Sequence, residues 1–305
     1  MNKIIVTTTI NHPTEATKKF ASMTDWHLVI AGDLKTPHDE YKKMKNLTYL
    51  SPEDQENISK EISDSIGWNT IDRRNMALIK AYQMGAEIIA TVDDDNIPLA
   101  NWGQELFVGK EVEVDFYTTS LEVFDPLFVT EHKRLWHRGF PIQYVSKRDA
   151  ILLGRKKITC LVQADLWNGD PDVDAICRIT QMPEVEFKSF TPFAAEKISP
   201  FNSQNTFLHR KVIPYYMVIP HIGRMDDIWG AYALQKDLRE LYGSFIVYNK
   251  ATVYHNRNEH DLTVDMEDEM IGYRKTLDFI LNNYRNVMPQ KALDSYNLYK
   301  SIFNK

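Results

Sequence analysis

With 305 residues the chain can form one large α/β domain plus an appendage and bury a substantial core. Its 36 basic and 42 acidic residues give a net charge of −6, which argues against nucleic acid as the main partner and leaves a phosphate-bearing substrate in need of a local cation. Cys160 and Cys177 form no CxxC pair and have no His cluster at zinc-ligand spacing, so they read as buried free thiols.

Met1-Asn2-Lys3 runs straight into strand-like residues that are too short and threonine-rich for a signal-peptide core, and no apolar run approaches the length of a membrane span. No transmembrane segment and a cytoplasmic setting are expected, with peripheral association at a membrane left open.

A β-branched strand over residues 4–9 opens into Ile10, Asn11 and His12, which places Thr7, Thr9 and Asn11 where a base or ribose could be touched. A helical stretch over 13–23 leads to a second strand, 26–31, ending in Gly32-Asp33-Leu34-Lys35. There Asp33 could accept the imide hydrogen of uracil and Lys35 could face a phosphate; a Gly-Asp turn with a solvated lysine fits equally. After a short strand at Leu47–Leu50, residues 51–68 are polar and read as a surface helix or a loop near the site. Asn69 or Thr70 then caps a helix carrying Ile71, Leu78, Ala81 and Tyr82 at helical spacing, and Gly85 stops it. Arg73 and Arg74 lie at its start, where cations oppose the macrodipole. One of them, Arg74, is read as binding a nucleotide pyrophosphate, with salt bridges to Asp64 or Asp72 as the alternative.

Residues 87–92 are an Ile- and Ala-rich run without polar alternation, as in a central strand covered on both faces. Asp93, Asp94 and Asp95 follow at its carboxyl end, where ligands of open α/β sheets bind. Three adjacent acids are costly without positive charge, so Asp93 and Asp95 are read as ligands of a divalent cation and Asp94 as a contact of the nucleotide-sugar. A solvated acidic turn is the plainer alternative.

A strand over 112–121 precedes residues 132–148, a basic and aromatic stretch around Arg138 whose Arg-Gly-Phe-Pro core has loop character and suits phosphate pairing or base stacking. In the acidic loop expected at 163–175, Trp167 is a candidate platform for a sugar face, with Asp165, Asp170, Asp172 and Asp174 available for hydroxyls or for a purely structural turn. The Phe- and Pro-rich segment 190–207 could line the side of the pocket. Arg224, Asp226 and Asp227 open a helix; the acids complement its dipole in any case, but one could serve as general base on an acceptor hydroxyl or orient the donor sugar. Strands at 244–248 and 251–254 lead to His255, whose neutral imidazole could complete a metal's coordination or contact a phosphate. From residue 261 two helical stripes, through Met270, Tyr273 and Leu277 and through Tyr296 and Tyr299, read as packing surfaces against the main domain or against another subunit of a homo-oligomer. The division is therefore 1–260 and a helical extension, 261–305.

The ordered set VDDDN, HRGFP, LWNGDPDVDA, IGRMDDIWGAY and VYHN resembles the reversibly glycosylated polypeptides, the plant UDP-arabinopyranose mutases, and the related STELLO-type glycosyltransferases. The resemblance runs in order over roughly residues 1–260 and is close at these motifs. It implies a GT-A fold, a Rossmann-like nucleotide-sugar-binding α/β architecture with a mixed central sheet, together with a UDP-sugar donor and Mn2+ or Mg2+. Matched residue by residue, Asp93, Asp94 and Asp95 stand for the metal-binding acids, Arg138 for the arginine that becomes glycosylated, Asp226 and Asp227 for the second acidic motif, and His255 for the terminal histidine. Seven residues after Arg138, where the mutases carry a second important arginine, this chain has Val145, with Lys147 or Arg148 as nearby substitutes.

Three functions follow as expectations. The first is metal-dependent transfer of a sugar from a UDP-sugar to a carbohydrate or glycoconjugate acceptor, with Asp226 or Asp227 serving the acceptor hydroxyl. The second is a pyranose/furanose mutase acting on a UDP-sugar without an acceptor. The third is a non-catalytic nucleotide-sugar-binding subunit.

Overall fold

Ile4, Ile5 and Val6 are wholly buried because their strand, β1 (Lys3–Thr9), is central in the sheet. The computed structural model that places it describes residues 2–188, 190–242, 245–257 and 261–303, without the side chains of 239–242. β1 pairs in parallel with β2 (His27–Gly32), which pairs in parallel with β3 (Leu47–Leu50). On its other side β1 pairs in parallel with β4 (Ile88–Val92), every residue of which is buried, as the unbroken apolar run requires. Helices carry the crossovers: α1 (Glu15–Ala21), α2 (His38–Lys43), then α3 (Pro52–Ile66) and α4 (Arg74–Gln83). The polar stretch 51–68 becomes α3 because Ser51 and Asp54 form a reciprocal capping box ahead of Pro52.

Beyond β4 the sheet is mixed. β5 (Asn96–Pro98), β6 (Glu111–Thr118), β7 (Ile151–Thr159), β8 (Val162–Gly169), β9 (Phe193–Ala195), β10 (Asn205–His209) and β11 (Ile246–His255) complete it. Among the described residues the order is β3-β2-β1-β4-β10-β8-β11-β9-β6-β7, with β5 paired to β11. β10 runs antiparallel to both β4 and β8. A parallel Rossmann-like half is thus joined through an antiparallel strand to a mixed half. The switch beside β4 leaves a crevice at that strand's carboxyl end, where Asp93–Asp95 follow.

Of the acidic loop expected at 163–175, residues up to Gly169 belong to β8, and an irregular segment, 170–174, with Asp170, Asp172 and Asp174 leads into α5 (Ala175–Gln181). β8 is covered on both faces, and Asp174 caps α5 by accepting the Cys177 N–H at 2.8 Å. The two strands expected at 244–248 and 251–254 are one strand, β11, whose register shifts between Asn249 and Val253. Residue 244 lies outside the described residues.

α6 (Asp226–Tyr242) opens with Asp226 and Asp227. α7 (Leu262–Asp268), α8 (Met270–Leu281), α9 (Tyr284–Val287) and α10 (Gln290–Ile302) pack on the main body. Phe279 stacks with its centroid 4.5 Å from that of Trp229, and the hydroxyls of Tyr296 and Tyr299 donate to the carbonyls of Tyr215 and Ile213 at 2.9 and 3.1 Å. The aromatic stripes thus face inward. Cys160 and Cys177 are both free and buried. No helix of the described residues is long and apolar enough to cross a membrane.

Candidate functional site

The turn after β4 is held from both sides. β5 doubles back antiparallel to β11 and sets Asn96 opposite His255, which brings the imidazole over the acids. His255 Nε2 stands 3.5 Å from Asp95 Oδ2, and Nδ1 is 2.6 Å from the Asp170 carbonyl oxygen. Burial opposes charge on this ring, but Asp95 and Asp93 outweigh it and raise its pKa. Asp94 accepts the Thr9 hydroxyl and, at 3.0 Å, the Asn11 amide; burial raises its pKa in spite of both. Asp93 is pushed up to about 6 by burial, with the Arg74 guanidinium pulling it down and Asp95 adding to the rise. Arg74, expected at a pyrophosphate, lines the cleft but is wholly buried, paired with Asp93 and bonded to Ser203 and the Val92 carbonyl. It neutralises one acid of the three.

Asp93, Asp94, Asp95 and His255 line a cleft of about 340 Å³ together with Arg138, Arg224, Asp226 and Asp227, so this expected set is brought to one place. Among the described residues no group of three or more His, Cys, Asp or Glu side chains is placed so that it could hold a metal ion. Carboxylate oxygens and an imidazole nitrogen are donor types that manganese or magnesium accepts, but here Asp93 is paired with Arg74 and His255 with Asp95. Burial first, and Asp95 after it, raise Asp93, against the Arg74 guanidinium that already lies beside it.

A smaller hollow, about 230 Å³, continues from the cleft past Thr8, Ile71 and Asp94 and is lined by Thr9, Asn11, Lys35 and Thr70. Three expected residues fall elsewhere. Thr7 is buried within β1 and is not among the lining residues; Thr8 and Thr9 take its place. Asp33 is buried beneath the hollow, its carboxylate accepting the backbone N–H groups of Leu34, Asn69 and Thr70 at 2.6, 2.8 and 3.0 Å, so it braces the wall. Trp167 is interior, its indole N–H donating to Gln204 at 2.7 Å and its ring set between His137 and Phe187, where no sugar face can reach it.

Arg138 is a clamp. Its Nε is 2.7 Å from Asp172, its Nη2 3.0 Å from Asp227, and its Nη1 donates to the Arg224 carbonyl. Gly139 makes the approach possible, because its φ is +79° and a Cβ there would overlap Ile228 of α6. Asp227 also accepts the Ser203 N–H at 2.8 Å and is nearly fully buried. Asp226 differs: burial, then Asp227 and Asp72, raise its pKa well above the usual carboxylate range, and its Oδ1 accepts only the Asp227 N–H among the described residues. Arg224 gives its side chain to Glu269 and Asp265 at 3.1 and 3.3 Å. Arg148, a suggested substitute at the Val145 position, pairs with Asp125 at 2.6 Å and is not among the cleft residues.

Over 304 aligned positions the chain is 25% identical to the Arabidopsis thaliana protein "Probable glycosyltransferase STELLO2", and over 303 it is 24% identical to "Probable glycosyltransferase STELLO1". The chain is similar to the STELLO glycosyltransferases along nearly all its length. The alignments cover 92% of this chain and 39% of either relative, so the chain spans well under half the length of these curated relatives. No family profile matches it. The crystal structure of M. tuberculosis glucosyl-3-phosphoglycerate synthase superposes with a TM-score of 0.44 at 12% identity, over 90% of this chain and 80% of that one.

Some cleft residues carried no readable signal. Arg257 follows His255 by two positions in a polar run; its Nη2 donates to Asp265 at 2.7 Å and it lines the cleft. Ser203 and Gln204 sit in the Phe- and Pro-rich segment that was expected to border the pocket, and they do line it. Asp172 was one of four equivalent acids; only the fold singles it out as the partner of Arg138.

Proposed function

We propose that the chain is a glycosyltransferase that moves a sugar from a nucleotide-sugar, a UDP-sugar on this reading, to a carbohydrate or glycoconjugate acceptor. The supporting observation is the convergence in one cleft of the cation-seeking acids and His255, a hollow of nucleoside size, and the raised carboxylate of Asp226. A manganese or magnesium ion held by Asp93, Asp95 and His255 would neutralise the leaving diphosphate. Thr9, Asn11 and Lys35 orient the nucleoside, with Asp33 holding their wall. Asp226 is the base: as the acceptor oxygen bonds to the anomeric carbon, its proton passes to the Asp226 carboxylate and the electrons of the anomeric C–O bond leave with the diphosphate. Above its raised pKa the ionised Asp226 is a stronger base than an ordinary carboxylate, and Asp227, tied to Arg138 and Ser203, is left to hold the clamp.

The mutase alternative needs a nucleophilic arginine. Arg138 has all three nitrogens engaged, and its pKa is held well above the ordinary arginine value by Asp172 and Asp227 against the opposing effect of burial. That speaks for a permanent cation. The test uses radiolabelled UDP-sugars with manganese, with and without oligosaccharide acceptors. Release of UDP that requires both metal and acceptor is expected; a changed sugar ring without free UDP overturns the transferase reading, and binding without turnover leaves a nucleotide-sugar-binding subunit.

A further inference from the structure

Asp226 belongs to two hollows. Behind the cleft, between the 67–72 loop and the start of α6, lies a second cavity of about 450 Å³, which shares Arg224 and Asp226 with the first. Its other walls include Trp68, Asp72 and Asp268. The Trp68 ring is half-buried and braced on one face by Arg73, whose guanidinium lies 3.7 Å from the ring centroid. Arg73 is itself immobilised, bonded to Gln55 at 2.9 Å and to Ser63. A braced indole with its remaining surface turned to a polar cavity is a ready platform for the C–H face of a sugar.

Asp72 supplies the polar counterpart. It is 5% exposed, its Oδ2 accepts the Thr70 hydroxyl at 2.6 Å, and its Oδ1 is buried without a hydrogen-bond partner among the described residues. A buried carboxylate oxygen without a partner costs stability, and this one belongs to a residue that lines the cavity. The charge of the cavity selects among ligands. Asp72, Asp226 and Asp268 line it, and among the described residues its one arginine, Arg224, is committed to Glu269 and Asp265, while the His221 imidazole is 2.9 Å from the Ser65 carbonyl. A phosphorylated or uronic sugar would find no unengaged cation among the described residues of this lining, whereas the hydroxyls of an uncharged ring would find carboxyl groups to bond.

We propose that this cavity is the acceptor subsite and takes an uncharged sugar ring, with its apolar face on Trp68, one hydroxyl on Asp72 and another reaching Asp226. The assignment rests on the transferase reading above and adds the class of acceptor. It also separates the reactants: the nucleotide end of the donor lies toward Asp93–Asp95 and the acceptor lies behind Asp226, so the base stands in the wall between them.

The test is saturation-transfer NMR on the full chain with UDP and manganese, using methyl β-glycosides of glucose, galactose, mannose and xylose against methyl glucuronide and glucose 6-phosphate. At least one neutral glycoside is expected to bind. Trp68→Leu and Asp72→Asn should each weaken it tenfold or more, Trp68→Phe should retain it, and UDP affinity by calorimetry should stay within twofold in all three variants. Preferential binding of either anionic probe, no binding of any neutral glycoside, or unchanged neutral binding in both Trp68→Leu and Asp72→Asn overturns the proposal. UDP titrated alone keeps the two readings apart. Failure of the unaltered chain to bind UDP defeats the transferase reading; normal UDP binding with any of the overturning results defeats only the acceptor assignment.

Discussion

Arg138 holds Asp172 at 2.7 Å across a buried contact, and the same guanidinium reaches Asp227 on α6 at 3.0 Å. One cation thereby ties the 138–140 turn, the segment after β8 and the helix that carries Asp226. Removing one partner of a buried ion pair leaves an uncompensated charge, which costs on the order of 3–5 kcal/mol. Asp172→Ala should lose stability of that order in urea unfolding at neutral pH; a loss below about 1 kcal/mol would place the clamp among interactions of surface strength. The pH dependence has a definite sign. Burial alone would raise Asp172, but Arg138 outweighs it and holds the carboxyl far below its usual range. Its stabilisation is therefore complete above about pH 4, where an unfolded aspartate ionises, and drains away as the pH falls below that. Asp172→Asn should flatten this acid limb.

Asp226 should trade stability for activity. Burial and the neighbouring Asp227 and Asp72 raise its pKa, so the native state keeps a proton that the unfolded chain has already released. Between about pH 4 and the raised native value, stability falls as pH rises. Asp226→Asn removes that slope. The variant should melt higher than the unaltered chain near pH 8 and no higher near pH 4, while transfer falls by roughly 10²–10⁴-fold, the usual worth of a general base. A variant that melts lower at both pH values, or transfers normally, contradicts the role given to this carboxylate.

The cation site makes a prediction of its own. Desolvation of the half-buried Asp93 carboxyl, with Arg74 pulling it down and Asp95 adding to the rise, pushes it up to about 6. Without a cation the native state holds this proton longer than the unfolded chain, so its contribution to stability falls as pH rises from about 4 to 6. A metal that needs the ionised carboxylates competes with that proton. Manganese should raise the melting temperature at about pH 7.5 by the linkage of ligand binding to folding and lose most of that effect at about pH 5. Asp95→Ala should abolish the shift at both. An equal shift in that variant would mean that the ion binds elsewhere.

Much of this site was legible because its cause is local. An apolar run broken by Asp93-Asp94-Asp95 announces a buried strand and its carboxyl end, and Gly139 beside Arg138 marks a turn that only the close passage of Ile228 explains. What escaped depends on partners distant in sequence. Trp167 looked like a loop residue because Asn168, Gly169, Asp170 and Pro171 follow it, yet the pairing of β8 with β10 and β11 buries it. Tertiary pairing overrode turn chemistry there. Trp68, next to a glycine in a polar stretch, gave no sign that Arg73 would brace it at a cavity. The pocket wall is likewise readable only once the 69–70 backbone is seen to fold back onto Asp33.

Asp33 allows the two accounts of the nucleoside pocket to be separated. Read from sequence, its carboxylate contacts the base and should discriminate uracil from cytosine through the imide hydrogen. In the structure it accepts three backbone N–H groups, from Leu34, Asn69 and Thr70, and is 1% exposed. A bracing residue acts on every ligand of the pocket alike. Asp33→Ala should lower stability by roughly 1–3 kcal/mol, the cost of stranding buried donors, and should weaken UDP and CDP by the same factor, about tenfold, as the 69–70 wall loosens. Calorimetric titration of both nucleotides against the variant decides the matter. A change in the UDP-to-CDP ratio would return Asp33 to the base, whereas a constant ratio with weaker binding of both keeps it in the wall, with Thr9, Asn11 and Lys35 as the groups that face the ligand.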